Sequence, residues 1–340
     1  PFLAVPFVGR LLAALCPLTS REAVLRVYNR YGRRDNKFKA RIKILVKALT
    51  PEGFAEKVEA EWQHIKESPT RLTPEAIQRI QAYFTEPDYA ASDNATDLLA
   101  SQRFENRGFD QWLTHNVDTH KKAGYAIVSL TMKKTGTPPG DVSDKQLEQI
   151  ADLADEFSFG EIRVTHQQNV VLADVRQDRL FELWQAITPM GFGTANLNTL
   201  TDVICCPGGD YCALANAKSI PVAEAIQRQF DDLDYLYDLG NIDLNISGCM
   251  NACGHHHVGN IGVLGVDKKG QEFYQISLGG SSHHDASIGK ILGPSFARDE
   301  MPKVISKIID VYVDKRTEEE TFLDTYRRVG IDPFKERVYA

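Results

Sequence analysis

Cys206-Pro-Gly-Gly-Asp-Tyr-Cys212 and, further on, Gly248-Cys249-Met-Asn-Ala-Cys253-Gly254 are the stretches on which the reading of this chain turns. Four of the six cysteines fall here as two pairs, the first spaced by five residues and the second by three, each beside glycine. A thiolate quartet of this kind is a metal-holding arrangement. Zinc knuckles usually space the first pair by about two to four residues. Glycine leaves backbone N–H groups free to approach bridging sulfides. Both features favour an iron–sulfur cluster. A structural zinc site with four cysteine ligands stays open, and metal analysis separates the two. A disulfide framework is not expected of 340 residues with six cysteines. A Cys-x3-Cys-x2-Cys cluster is excluded, because Gly254 and His255 follow Cys253. Cys205 gives a six-residue spacing and is an alternative to Cys206.

These residues resemble the sirohaem-dependent sulfite and nitrite reductases. That family carries Cys-x5-Cys, then Cys-x3-Cys in a Gly-Cys-x-Asn-x-Cys-Gly frame, and Asn251 and Gly254 fit the frame as well. The resemblance implies that Cys206, Cys212, Cys249 and Cys253 bind a [4Fe–4S] cluster, with the Cys253 sulfur also ligating the sirohaem iron. Cys206 keeps the family spacing, which leaves Cys205 and Cys16 as packed core thiols.

A basic run precedes all this: Arg30, Arg33, Arg34, Lys37, Lys39, Arg41, Lys43 and Lys47, against Asp35 alone. It reads either as a solvated helix face or as an anion pocket. An extended Arg41-Ile42-Lys43 would put two cations on one side. Asp35 to Lys43 resembles a family segment, with one extra residue and arginine at the first basic position. The resemblance gives Arg41 and Lys43 the substrate anion.

Further along, Ala126–Met132, Glu161–Thr165 and Asn169–Val175 read as strands, and Lys145–Phe157 and Leu180–Ile187 as helices, with Ser143 as an N-cap. This β-α-β-β-α order resembles the ferredoxin-like half-domain of the same family. Arg163-Val-Thr165-His-Gln-Gln168-Asn169 resembles its Arg-x-Thr-x-x-Gln-Asn motif, which implies that Arg163, Thr165, Gln168 and Asn169 bind the cofactor's carboxylate rim. The bland alternative pairs Arg163 with a surface acid and lets Gln168-Asn169 turn a hairpin.

The remaining segments are read from pattern. Helices are expected at 21–31, 51–66 and 74–84, a polar linker or lid at 85–111, and a helix over 213–230 interrupted by Pro221. Strands are expected at 243–247 and in the glycine-rich 259–266. In the His255-His256-His257 triplet, two members read as structural and at most one as a cofactor contact. Residues 300–340 alternate helix and charge, like the family's C-terminal wrap.

Lys and Arg number 39 against 46 Asp and Glu, a net charge of −7, which argues against nucleic acid as a partner. Phe2–Leu18 is apolar but interrupted by Pro6, Gly9 and Arg10, so no membrane span is expected. Reduced cysteines suit the cytoplasm. The chain opens on Pro1 rather than Met and is expected to lack an upstream portion.

The expected fold is α+β. It comprises the end of a first sirohaem-binding reductase domain over 1–95, a ferredoxin-like half-domain over 112–192, and a second α/β reductase domain over 196–340 with the cluster and sirohaem ligands. This is the remnant of a duplicated architecture. The first ferredoxin-like repeat is absent, which bears on autonomous activity. The implied reaction is six-electron reduction of sulfite to sulfide, or of nitrite to ammonia. An iron–sulfur electron-transfer subunit without catalysis is the alternative. No Gly-x-Gly-x-x-Gly or flavin motif is present, so electrons must come from another protein or domain, a ferredoxin or a flavoprotein.

Overall fold

The computed structural model describes residues 17–90 and 95–340. Most of the apolar N-terminal stretch, Cys16 included, and the Asp93-Asn94 pair of the expected linker lie outside them. The chain divides into two compact units, Pro1–Tyr89 and Ala90–Ala340. No helix among the described residues is long and apolar enough to cross a membrane.

The first unit is helical: α1 (Pro17–Tyr31), α2 (Ile42–Leu49), α3 (Pro51–Ile65) and α4 (Pro74–Gln81). Phe54, Val58 and Ile65 of α3 pack on Ala23 and Val27 of α1 and Leu45 of α2, following the helical spacing read from sequence. The Trp62 indole N–H donates to Thr19 Oγ1 at 3.1 Å. The basic run is not extended throughout. Arg41 is, with φ −136° and ψ 143°, but Lys43 already lies in the first turn of α2.

The second unit opens with α5 (Thr96–Glu105) and α6 (Arg107–Asn116), so the expected linker over 85–111 is mostly helical. Asn106 interrupts the run in extended conformation and accepts the Phe109 N–H, which caps α6. Phe109 and Trp112 are fully buried and tie α6 to the core. Then follow β1 (Val117–Thr119), β2 (Tyr125–Leu130), α7 (Asp144–Phe157), β3 (Arg163–Val164), β4 (Val170–Arg176) and α8 (Leu180–Met190). The strands form an antiparallel sheet in the order β1-β2-β4-β3. Ser143 caps α7 through a reciprocal box with Gln146. Val128, Leu130 and Leu172 of the sheet pack against Ile150 and Leu153 of α7 and Leu183 and Ile187 of α8.

The rest builds a second sheet from β5 (Ile204–Cys205), β6 (Leu244–Ser247), β7 (Ile261–Lys268), β8 (Gln271–Leu278) and β9 (Lys290–Ile291), in that order. The pairs β5–β6 and β6–β7 are parallel, whereas β8 and β9 add antiparallel. Between β5 and β6 lie the single turn α9 (Gly208–Tyr211), α10 (Ile220–Gln229) and α11 (Leu233–Leu239). The helix expected from 213 starts only at Ile220. Pro221 stands in its first turn, where a missing N–H costs nothing, so it opens the helix instead of interrupting it. The preceding residues are drawn away: the Asn216 and Ala217 N–H groups both donate to the Gly248 carbonyl, at 2.8 and 3.1 Å. The closing helices are α12 (Met301–Lys315), α13 (Phe322–Val329) and α14 (Asp332–Tyr339). α12 covers the sheet with Val304, Ile305, Ile308 and Tyr312.

Two glycines of this sheet separate backbone strain from steric conflict. Gly270 in the β7–β8 turn has φ +81° and open space where a Cβ would stand. Gly279 has φ +83°, and its Cβ would fall 2.0 Å from the Tyr326 ring. Gly270→Ala should cost about 1–2 kcal/mol from the left-handed conformation alone. Gly279→Ala should add a further ~1–3 kcal/mol of overpacking. Urea unfolding of the two variants checks the difference.

Candidate functional site

Parallel pairing brings the two cysteine loops together. Cys205 of β5 stands opposite Ile246 of β6, so Cys206 and the Gly248-Cys249 turn leave the carboxyl ends of adjacent strands on one side. Loops at that edge of a parallel sheet are where α/β folds hold ligands. The Cys206 N–H donates to the Ile246 carbonyl at 3.0 Å, and the Gly248 N–H donates to the Cys206 sulfur at 3.0 Å. Ser219 Oγ lies 3.5 Å from the same sulfur. The loops meet glycine to glycine: a Cβ on Gly248 would stand 2.8 Å from the Gly208 Cα and 2.7 Å from the Ala217 carbonyl oxygen. Gly265 of β7 closes the packing from below, with no room for a Cβ beside the Gly248 carbonyl at 2.8 Å.

The second pair is turned by two left-handed residues, Ala252 at φ 57° and His255 at φ 54°. Gly254 folds back on β6 and donates its N–H to Ser247 Oγ at 3.1 Å. The histidine triplet follows and packs through its backbone. The His255 carbonyl accepts from Asn245, and the His257 carbonyl from the Gly289 N–H. Burial and the neighbouring His257 pull the His256 ring down to about 4, so it is neutral near pH 7. Its Nδ1 is buried and meets no hydrogen-bond partner among the described residues.

The four thiols differ in access. Cys206 and Cys249 are buried, Cys212 is half-buried and Cys253 is exposed. Cys205 lies on the other side of its strand, where burial pushes its thiol far above the usual range. Among the described residues, no three His, Cys, Asp or Glu side chains close around a single ion.

The Arg163-to-Asn169 segment is the β3–β4 hairpin. Arg163 is exposed and pairs with Glu161, as in the bland reading of that residue. Thr165 is half-buried, and its hydroxyl accepts the Asn169 N–H at 3.1 Å. Gln168 and Asn169 turn their amides into the protein. Gln168 Oε1 accepts the Cys205 N–H at 2.9 Å, and its Nε2 donates to the Cys205 carbonyl at 2.8 Å. Asn169 Oδ1 accepts the Met132 N–H, and its Nδ2 donates to Asp202 at 2.9 Å. Both amides therefore hold the strand that delivers Cys206. Sequence reasoning missed Lys133 and Asp202, a buried ion pair at 3.5 Å beside them. Its one signal was a lysine directly after the expected strand Ala126–Met132. Arg41 and Lys43 belong to the first unit, at the start of α2, where no acid and no side-chain cap occupies the first turn.

Comparison with known proteins now adds to this geometry. Residues 18–66 and 197–340 match the model described as the nitrite and sulphite reductase 4Fe-4S domain, and residues 130–190 match the nitrite/sulfite reductase ferredoxin-like half domain. Sulfite reductase (ferredoxin) 2 of Mycolicibacterium paratuberculosis is 26% identical, over 92% of this chain and 51% of that protein. The chloroplastic ferredoxin–nitrite reductase of Arabidopsis thaliana is 23% identical, over 85% of this chain and 44% of that protein. The structure of Mycobacterium tuberculosis NirA superposes with a TM-score of 0.61 at 24% identity, over 93% of this chain and 53% of that chain. The chain spans about half the length of the curated relatives it matches.

The thiol environments make a direct prediction for the cofactor-free protein at pH 8. A small alkylating reagent should label Cys253 first and leave Cys205 unlabelled while the fold persists, as read by mass spectrometry of digested samples. Early labelling of Cys205 would contradict its burial.

Proposed function

Since this chain belongs to the nitrite and sulphite reductase 4Fe-4S family, whose cofactors are a [4Fe–4S] cluster and sirohaem, we propose that it carries the cofactor-binding part of a six-electron sulfite reductase. The observation that supports this most is the interlock of the two cysteine loops, in which the Gly248 N–H reaches the Cys206 sulfur. Cys206, Cys212, Cys249 and Cys253 would hold the cluster, and Cys253, the exposed member, would also meet the sirohaem iron. Bound cofactors would supply single electrons and an iron site for the anion. The unpartnered His256 Nδ1 fits a donor toward a carboxylate of such a group. Arg163 and Thr165 are proposed at its rim, and Gln168 and Asn169 act through β5.

Arg41 and Lys43 are proposed to bind the anion. The uncapped start of α2 offers unpaired N–H groups and the positive end of the helix dipole beside both cations. Each oxygen that departs as water needs a hydrogen bond while charge builds on it, and then protons. The Lys43 ammonium can give a proton and take one back, whereas an arginine rarely does. Nitrite reduction to ammonia is the second reading, because relatives of both names match. A ferredoxin is the proposed donor, on the names of those relatives, with a flavoprotein as the alternative; a reducing compartment such as the cytoplasm suits both cofactors.

Anaerobically purified protein should show the bands of a reduced porphyrin together with iron and labile sulfide. Cluster signals without those bands would favour the electron-transfer subunit. Cys206→Ser should abolish labile sulfide and the cluster's EPR signal, while Cys205→Ser keeps both. The reverse would move the ligand register by one.

In the full-length enzyme, Lys43→Ala should lower kcat by about 10²–10³, the range seen when a donor to developing charge is lost, with a smaller change in KM. Lys43→Arg should bind the anion yet stay slow. Steady-state kinetics with an artificial one-electron donor checks both. Near-wild-type turnover in the two variants would return the basic run to a solvated face.

A further inference from the structure

Lys133 is wholly buried, and nothing above uses its charge. It follows β2 in the antiparallel sheet, yet its ammonium bridges to the cluster strand. Nζ donates to the Gln167 and Val203 carbonyls, each at 2.7 Å, and lies 3.5 Å from Asp202 Oδ1. An ammonium has three N–H donors, and here it meets three acceptors. Two of them, Asp202 and Val203, lead into β5. The third, Gln167, sits in the β3–β4 turn.

Asp202 and the Lys133 carbonyl are themselves engaged. Asp202 Oδ1 also accepts from Asn169, and Oδ2 accepts the Asn198 N–H at 3.0 Å. The Lys133 carbonyl accepts from Asn196 and Gln227 at 3.3 and 3.5 Å. Burial pulls the ammonium below the usual lysine range, and Asp202 opposes that pull. A buried ion pair adds little net stability compared with apolar packing. Its effect is geometric: if the charge goes, Val203 and Gln167 are left with unsatisfied carbonyls, and the approach to β5 loses its tie to the hairpin.

We propose that Lys133 is a positioning residue for the cluster: its ammonium pins the Asp202–Val203 approach of β5 onto the Gln167 turn and so fixes where Cys206 is presented. The pin lies in one module and the ligand it positions in the next. The inference rests on the reading of Cys206 as a cluster ligand.

Hydrogen exchange by mass spectrometry, with iron and labile sulfide per chain, tests it in the full-length protein. Lys133→Met should raise exchange roughly tenfold or more in peptides covering 165–169 and 202–206. The β7–β8 hairpin should stay as protected as in wild type, and iron and sulfide should fall at least about twofold. If Lys133→Met does not fold, Lys133→Met/Asp202→Asn removes both charges and is read the same way. Unchanged protection at 202–206 overturns the proposal. So does a uniform rise across the unit, which would mark a merely stabilising role, and so does a local rise with iron intact. A wild-type protein without iron sinks the cluster reading instead and leaves the exchange contrast to decide the pin by itself.

Discussion

The parallel pairing of β5 with β6 is the constraint on which the site depends. Two strands running the same way release their following residues at the same edge, and here each release is a cysteine loop. Nearly forty residues of helix and turn separate Cys212 from Cys249, so proximity in sequence contributes nothing. Register does the work: Cys205 opposite Ile246 sets Cys206 against the Gly248 turn, and a slip of one residue would turn the wrong cysteine outward. The glycines at 208, 248 and 265 then let the loops touch at backbone distance.

The support beneath that edge comes from the neighbouring sheet. The Gln168 amide bonds both backbone groups of Cys205, which is what a paired strand would do at that position. Asn169, Asp202 and Lys133 continue the connection inward. The ferredoxin-like half-domain therefore does more than sit beside the cluster-binding sheet. Its hairpin supplies the lateral bonds that a strand of only two residues, β5, cannot make for itself.

Much of this was legible in the sequence. The cysteine spacing, the β-α-β-β-α order and the Ser143 cap announce themselves through chemistry and period. What stayed hidden depended on distant partners. The stretch from Cys212 to Ser219 has helical composition, but the Gly248 carbonyl takes its N–H groups, and no local pattern records that. The helices α5 and α6 were hidden by polar sequence, because the burial of Phe109 and Trp112 is specified by the sheet they meet. Gln168 and Asn169 were singled out by a motif resemblance that implied the cofactor rim, whereas their amides bond within the protein. Their amides face inward because β5 needs partners, a demand set by a strand that begins some thirty residues later.

The back-to-back cysteines have a consequence for oxidative damage. Alternation along β5 sends the Cys205 sulfur into packed protein and the Cys206 sulfur to the loop edge, so the two neighbours do not share a side. Cys205 is also held as a protonated thiol by its burial. When oxygen strips a cluster, the exposed thiolates left behind are the ones that pair wrongly or climb to sulfinic acid. Here the thiol closest in sequence to that chemistry is both out of reach and in its unreactive form. Repair could then start from the four cysteines proposed as ligands, with the fifth sulfur kept out of the exchange.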